Sequence, residues 1–516
     1  PRLGAAWGSA NGKMKIFGSY GVTNDVMKLL LAQTSWGAQG FENCTYPIGP
    51  DGTAAGFVNS DVNTIFNAAN RACPTGIATV GANFTNGAPS AALVDTATKV
   101  GLVENVNLRP EEPVAPNVNP YRQHEFVAGW DYQIGRNWAF EARYDRRRLD
   151  HVIEDASLAD PNAFEIYTIV NPGQGVDKTF NGYANFLTSL GDAYGPGTSA
   201  FNPTGAFWTG SGPGGTCAGC PNMPQAIRNY DGVELRLTKT QSRGLSGMFS
   251  YTWSRLWGNY TGLTTTDQVD GGTTGRDSPD TTRSFDEPFY YFADTGKSND
   301  GPLPTDRPNT FKGFVYYTLP WKSHTNTTTL GIFQVAYQGS PVSSYVDLGL
   351  AADQEPIEAT YIFGRGNFDN ITTNAVGNVT LGTPYARRTP WYTQTDANLG
   401  HAIKVNKNNE AQVLSFNATL TNLLNQHAVT SYWEGFDSNY FNTALFPDQA
   451  FTGAAFYQLI EEGYNPQAEI NSQIKGTCVF CQVFGVPLPL VGSSRYNQPN
   501  IWQIARRIRV GVQFTF

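Results

Sequence analysis

The sequence predicts an all-β fold: a transmembrane antiparallel β-barrel with long extracellular loops. Three observations carry this. Only 15% of residues are charged while 13% are aromatic, against roughly 25% charged in an ordinary soluble domain. Apolar and polar residues alternate with period two in about eleven separate segments. The connections between those segments are short and long in turn, as in an outer-membrane barrel with tight periplasmic turns.

Taken along the chain, two weaker segments come first, at residues 2–7 and 13–20. Phe126, Ala128, Trp130 and Tyr132 then alternate with Val127, Gly129 and Asp131. Trp138, Phe140, Ala142 and Tyr144 alternate with Glu141, Arg143 and Asp145. Val233, Leu235 and Leu237 alternate with Glu234, Arg236 and Thr238, and Leu245, Gly247, Phe249, Tyr251 and Trp253 follow with Ser246, Met248, Ser250 and Thr252 between them. Phe311, Gly313, Val315, Tyr317 and Leu319 form one face of the next segment. Thr329, Gly331, Phe333, Val335 and Tyr337 form one face of the segment after it. Thr395, Ala397 and Leu399 alternate with Asp396 and Asn398, and Leu414, Phe416, Ala418 and Leu420 with Ser415, Asn417 and Thr419. The last segment sets Ile508, Val510, Val512, Phe514 and Phe516 against Arg509, Gly511, Gln513 and Thr515.

Short connections fall at residues 11–12, 134–137, 240–244, 320–326 and 404–409, and long ones at 21–121, 149–229, 258–306, 339–390 and about 425–500. Long structureless loops argue against a compact soluble fold. Five of them confined to one end fit a barrel and not a sandwich. Two stretches in the first loop read as short helices: 24–36, with Asn24 as N-cap, and 61–72.

The mean hydropathy of −0.34 and the lack of any run near the ~18 apolar residues a spanning helix needs exclude a helical membrane protein. A spanning strand needs only about ten residues, every second one apolar. The net charge of −8 disfavours a nucleic-acid partner. The short run Arg146-Arg147-Arg148 marks a rim or membrane interface. In a barrel the apolar face meets lipid and the polar face lines the lumen. That places Glu141, Arg143, Asp145, Glu234, Arg236, Asp396, Arg509 and Gln513 inside, and Val510, Val512, Phe514 and Phe516 toward lipid. Trp138, Trp253, Trp321, Trp391, Phe514 and Phe516 lie near strand ends, as two aromatic girdles require.

The six cysteines are Cys44, Cys73, Cys217, Cys220, Cys478 and Cys481. An even count in an exported protein points to disulfides. The two CxxC pairs would also suit a four-thiolate zinc site. The chain is expected to need no cofactor. Asp277 with Asp280, or Asp286 with Glu287, are the pairs a secreted all-β glycoside hydrolase could use, but nothing fixes their separation. The five histidines show no ligand or triad spacing.

Several motifs resemble one family. The ending Arg507-Ile508-Arg509-Val510-Gly511-Val512-Gln513-Phe514-Thr515-Phe516 is similar to the last strand of TonB-dependent transporters. Phe416-Asn417-Ala418-Thr419-Leu420-Thr421-Asn422-Leu423-Leu424-Asn425 resembles their penultimate strand and its Asn-Leu-x-Asn close. The stretch from Tyr230 to Lys239, the stretch Phe249-Ser250-Tyr251-Thr252-Trp253-Ser254, the stretch Asp306-Arg307-Pro308-Asn309 and Leu319-Pro320-Trp321 resemble the Oar-like branch, as does the opening Pro1-Arg2-Leu3-Gly4.

The resemblance implies a roughly 22-stranded barrel filled by a plug, of which residues 1–516 are the C-terminal half, with the plug and TonB box lying outside the chain. The opening residues show no leader pattern, so a leader is expected to have been removed or the chain to begin mid-protein; the same reading favours a truncated, processed or partly sequenced chain, or a barrel completed by a second polypeptide. It implies a non-enzymatic receptor and transporter in the outer membrane of a diderm, Gram-negative bacterium. Loops would capture a bulky substrate, and the TonB complex would act through the plug. The expected partners are outer-membrane lipid, the TonB complex and the N-terminal half of the barrel, with no nucleic acid. Phe516 resembles the terminal aromatic read by the barrel-assembly machinery. A surface adhesin or structural barrel without transport is the alternative.

Overall fold

The computed structural model describes residues 1–25, 41–47, 101–107, 114–160, 164–178, 224–260, 300–322, 325–349, 356–361, 363–368, 372–373, 379–380, 383–406, 409–436, 441–442 and 495–516. Eleven strands lie side by side in one antiparallel sheet, each paired with the next in chain order. They are β1 (Arg2–Gly8), β2 (Met14–Asp25), β3 (Tyr121–Ile134), β4 (Trp138–His151), β5 (Arg228–Ser242), β6 (Leu245–Gly258), β7 (Asn309–Thr318), β8 (Asn326–Tyr337), β9 (Tyr392–Asn406), β10 (Asn409–Thr421) and β11 (Arg507–Thr515). Gly301–Pro302 adds a two-residue strand at the end of β6. The single helical element among the described residues is a 3-10 turn at Gly175–Lys178.

The meander follows from the turns. Between β5 and β6, Arg243 and Gly244 take φ of 50° and 77°, a left-handed pair whose twist matches that of the flanking strands. A Cβ on Gly244 would stand 2.5 Å from the Thr318 carbonyl oxygen, so the turn also needs glycine for space. Such tight connections close one end of the sheet. Every long connection leaves from the other end, and several build small hairpins there. Glu154–Asp160 pairs with Phe164–Val170, and Val429–Tyr432 with Pro499–Trp502. Tyr385–Arg388 lies between Pro341–Val342 and Asn367–Phe368.

The register gives the sheet two chemically distinct faces. One row runs Trp7, Ile16, Trp130, Ala142, Leu235, Tyr251, Phe311 and Ala336 across β1 to β8. The row on the opposite face runs Lys15, Asp131, Glu141, Arg236, Ser250, Lys312, Val335 and Gln394 across β2 to β9. Large apolar side chains on the first face stand open: Ile332 is 55% exposed, Phe249 51% and Val512 68%. A soluble sheet hides such a face, because burying it contributes about 25 cal/mol per Å².

Two expectations are corrected. On β8 the residues facing Val315 and Tyr317 are Ile332 and Leu330, so Gly331, Phe333 and Val335 lie on the polar face. Both parities of this strand carry apolar side chains, and only pairing with β7 separates them. Asn24 caps no helix: it is paired with Arg122 near the end of β2. The remainder of that expected helix, and the one expected at 61–72, lie outside the described residues.

The closely packed core lies not in the sheet but at its long-loop end. Tyr121, Val152, Ile153, Ile169, Ala226, Tyr260 and Tyr361 form one buried cluster there. The Tyr121 and Tyr260 hydroxyls are 2.9 Å apart, and Tyr121 also donates to the Ile153 carbonyl at 2.6 Å.

Candidate functional site

The polar face is divided by strand. On β2 to β5 it is ionic. Lys15 faces Asp131 at 3.8 Å, Arg143 donates to Glu234 at 2.7 Å, and Arg236 pairs with Glu141. Arg147 bridges Asp145 at 2.7 Å and Glu125 at 2.9 Å. Exposed pairs contribute little one by one, and the ladder is not strictly alternating: Asp131 faces Glu141, and each anion has its cation on the other side, Lys15 for Asp131 and Arg236 for Glu141. On β7 and β8 the same face is aromatic: the Phe314, Tyr316 and Phe333 rings lie 5.3–6.0 Å apart. On β9 and β10 it carries amides and hydroxyls. Gln394 donates to Asp396 at 3.0 Å, and Asn398 to the Thr419 hydroxyl at 3.0 Å. Among the described residues no group of three metal-ligating side chains converges.

The polar face closes, at the end of β10, on an asparagine hub. Asn422 sits at φ 53° and is 1% exposed. Its backbone N–H donates to Asp396 at 2.7 Å, and its side-chain amide donates to the Gln426 and Ile504 carbonyls, both at 2.9 Å. Its side-chain Oδ1 accepts the Gln426 N–H at 2.8 Å. One side chain thus satisfies the backbone where three segments meet, which asparagine can do because it tolerates the left-handed conformation. Asn425, also left-handed, accepts the Arg506 N–H at 3.0 Å. This is the physical content of the Asn-Leu-x-Asn close.

At the long-loop end a second network joins distant loops. The buried Asp306 carboxylate accepts the Leu256 N–H at 2.6 Å and the Arg388 guanidinium at 2.5 Å. Arg388 also donates to the Gly339 carbonyl at 3.1 Å. A Cβ on Gly339 would lie 1.8 Å from the Thr389 carbonyl oxygen, so glycine lets these two chains touch. Arg387 lies between the Phe368 and Tyr432 rings, at 4.2 and 4.4 Å, and donates to Asn497 at 2.6 Å.

Two further ionisable groups belong to this network, Arg365, which is buried, and Glu434, which is half-buried. Glu434 accepts the Ser343 N–H at 3.0 Å, and burial pushes its carboxyl up to about 8. Arg365 lies over the Tyr361 ring at 4.7 Å and donates to its hydroxyl at 2.9 Å. Burial pulls its guanidinium down to about 9. Sequence reasoning assigned no role to Asp306, Arg365, Arg387, Arg388 or Glu434. The one available signal was the Asp306-Arg307-Pro308-Asn309 motif.

Glu141, Arg143, Asp145, Glu234 and Arg236 on β4 and β5, Asp396 on β9, and Arg509 and Gln513 on β11 lie on one face of the sheet. Val510, Val512 and Phe514 lie on the apolar face beside Ala418, Phe416 and Leu414. Phe516 follows β11, is 89% exposed, and its ring stacks on that of Phe514 at 6.2 Å. Cys44 falls in the strand Phe41–Pro47. Its side chain and the other five cysteines lie outside the described residues. So do Asp277, Asp280, Asp286 and Glu287.

No protein-family model matches the sequence. A TonB-dependent transporter, Oar of Myxococcus xanthus, is 24% identical over 404 residues, which is 78% of this chain. The chain is similar in sequence to this transporter. It spans 29% of that relative's length. Among solved structures, a copper transporter, OprC, covers 83% of the chain at 8% identity and a TM-score of 0.31, over 33% of its own length. The siderophore receptor PiuA of Acinetobacter baumannii covers 84% at 11% identity and a TM-score of 0.30, over 33% of its length. A ferric enterobactin receptor, PfeA of Pseudomonas aeruginosa, covers 100% at 10% identity and 0.32, over 40% of its length.

Proposed function

We propose that residues 1–516 are the C-terminal portion of a TonB-dependent transporter barrel that takes a bulky substrate across the outer membrane. The observation that carries this is the sheet itself. Its eleven strands present one continuous apolar face, and all of its long connections leave from one end. From Leu245 to Trp253 on β6 that face is roughly 26 Å long at 3.3 Å per residue, close to the apolar band of about 25 Å that outer-membrane barrels present to lipid. In this reading Val510, Val512 and Phe514 meet lipid, and the ionic, aromatic and amide territories line the lumen. The long loops capture the substrate. The tight turns lie in the periplasm, and cystines brace the loops.

The strand count supports a larger barrel. β1 and β11 each have a partner on one side only among the described residues, and both run from the long-loop end to the tight-turn end. Paired directly, they would be parallel. An antiparallel barrel therefore takes an odd number of further strands, which the N-terminal half would supply, together with the plug on which TonB pulls.

The test uses the full-length protein. Extracted from outer membranes, it should migrate faster on a denaturing gel before boiling than after. It should also bind the purified periplasmic domain of TonB. A soluble, heat-insensitive protein overturns the barrel. A heat-modifiable protein that ignores TonB overturns transport and leaves a surface adhesin.

A further inference from the structure

We propose that the sheet's outer rim beside the long loops binds the phosphates of anionic lipid headgroups through Arg146, Arg148 and Arg255. This rests on the barrel reading above. The pleat divides the run Arg146-Arg147-Arg148. Arg147 joins the ionic ladder of the polar face, while Arg146 and Arg148 stand on the apolar face. There the register sets Arg146 beside Asp231 and Asp231 beside Arg255, with Arg148 one row further out beside Asn229. One row inward, the same three strands carry Tyr144, Val233 and Trp253. Cations thus begin where the apolar surface ends, which is the order of phosphate and acyl chain in a lipid leaflet.

This part of the rim carries three guanidinium groups and the Asp231 carboxylate; a second carboxylate, Asp150, lies two residues beyond Arg148 and is taken up by Arg122 and His124. Asp231 accepts from Arg148 at 2.6 Å and from the Tyr144 hydroxyl at 2.7 Å. Arg148 spends another N–H on the Tyr230 carbonyl at 2.9 Å. Arg146 and Arg255 are exposed; Arg146 stands within reach of the Tyr144 hydroxyl and the Asp231 carboxylate, without closing an ion pair of its own among the described residues. The Arg255 guanidinium lies over the Trp257 ring at 4.2 Å, which holds its plane in place. Two strand spacings, roughly 10 Å, separate Arg146 from Arg255, room for a phosphate between them or for a headgroup carrying two. A guanidinium suits this position because it stays charged and offers paired N–H donors to phosphate oxygens.

The test reads the lipid next to Trp253, which lies in the row beneath the arginines. Full-length protein is placed in phosphatidylcholine vesicles containing either brominated phosphatidylcholine or brominated phosphatidylglycerol. Subtraction of a Trp253→Phe variant isolates the quenching of that one side chain. Native protein should show stronger quenching by the anionic lipid. Arg146→Gln/Arg255→Gln should lose that preference, by roughly fivefold for each basic residue removed at a membrane surface, while remaining heat-modifiable. Arg136→Gln/Arg243→Gln, the same loss of charge in turns at the opposite end, should keep it. An unchanged preference in the first variant, or an equal loss in the second, overturns the proposal. Trp253 that neither lipid quenches overturns the barrel reading itself.

Discussion

Arg388 donates to Asp306 at 2.5 Å across 82 residues of sequence, and the carboxylate it reaches is 2% exposed. A buried ion pair of this kind contributes little net stability, yet removing one partner leaves a charge stranded and costs roughly 3–5 kcal/mol. Arg388→Met should therefore lower the temperature at which the full-length protein loses its fast-migrating form. Asp306→Asn should do the same, because it strands Arg388. The double variant Asp306→Leu/Arg388→Met should recover part of the loss. If either single variant melts like the native protein, the pair does not organise the loop end.

The two faces of β11 should respond in opposite ways to the same substitution. Val512→Arg places a cation on the apolar face, where lipid makes it cost roughly 2–4 kcal/mol near the midplane. Gln513→Arg adds one to the polar face. Heat-modifiable protein recovered from outer membranes should fall sharply for the first and stay near native for the second. Equal losses mean that both faces are buried alike and rule out a lipid-facing wall. Deleting Phe516 should reduce the amount assembled without changing the melting of what is assembled.

Glu434 predicts a pH dependence of known sign. Its carboxyl titrates near 8 in the folded protein against an ordinary 4.5, so between those values the folded state holds the proton more firmly than the unfolded one. Stability then falls as pH rises through this window. Glu434→Gln cannot lose a proton. Its advantage over the native protein, read as resistance to heat or urea, should be near zero at pH 4 and grow up to about pH 8. A difference that stays flat across this range contradicts a Glu434 that is protonated in the folded protein.

The cysteines make a chemical prediction. Peptide mapping of the non-reduced full-length protein should find Cys44 joined to Cys73. The pairs Cys217/Cys220 and Cys478/Cys481 should be oxidised, either within each pair or across the two. Free thiols or stoichiometric zinc would remove the disulfide reading.

The sequence by itself determined the eleven strands, the tight turns between them and the face on which residues such as Glu141, Arg236 and Val512 lie. Period-two alternation and turn chemistry are local, and the pleat converts them directly into sides of a sheet. It did not determine the sidedness of β8, where Ile332 and Phe333 are both apolar and only hydrogen bonding to Val315 and Phe314 on β7 assigns each its face. Nor did it reveal the contacts of Asp306 with Arg388, or of Ser344 with Tyr496 across 152 residues at 2.6 Å. No periodicity links residues so far apart. Such pairs arise because the sheet brings the ends of non-adjacent strands together, and loops of very different composition then bury their polar groups against one another.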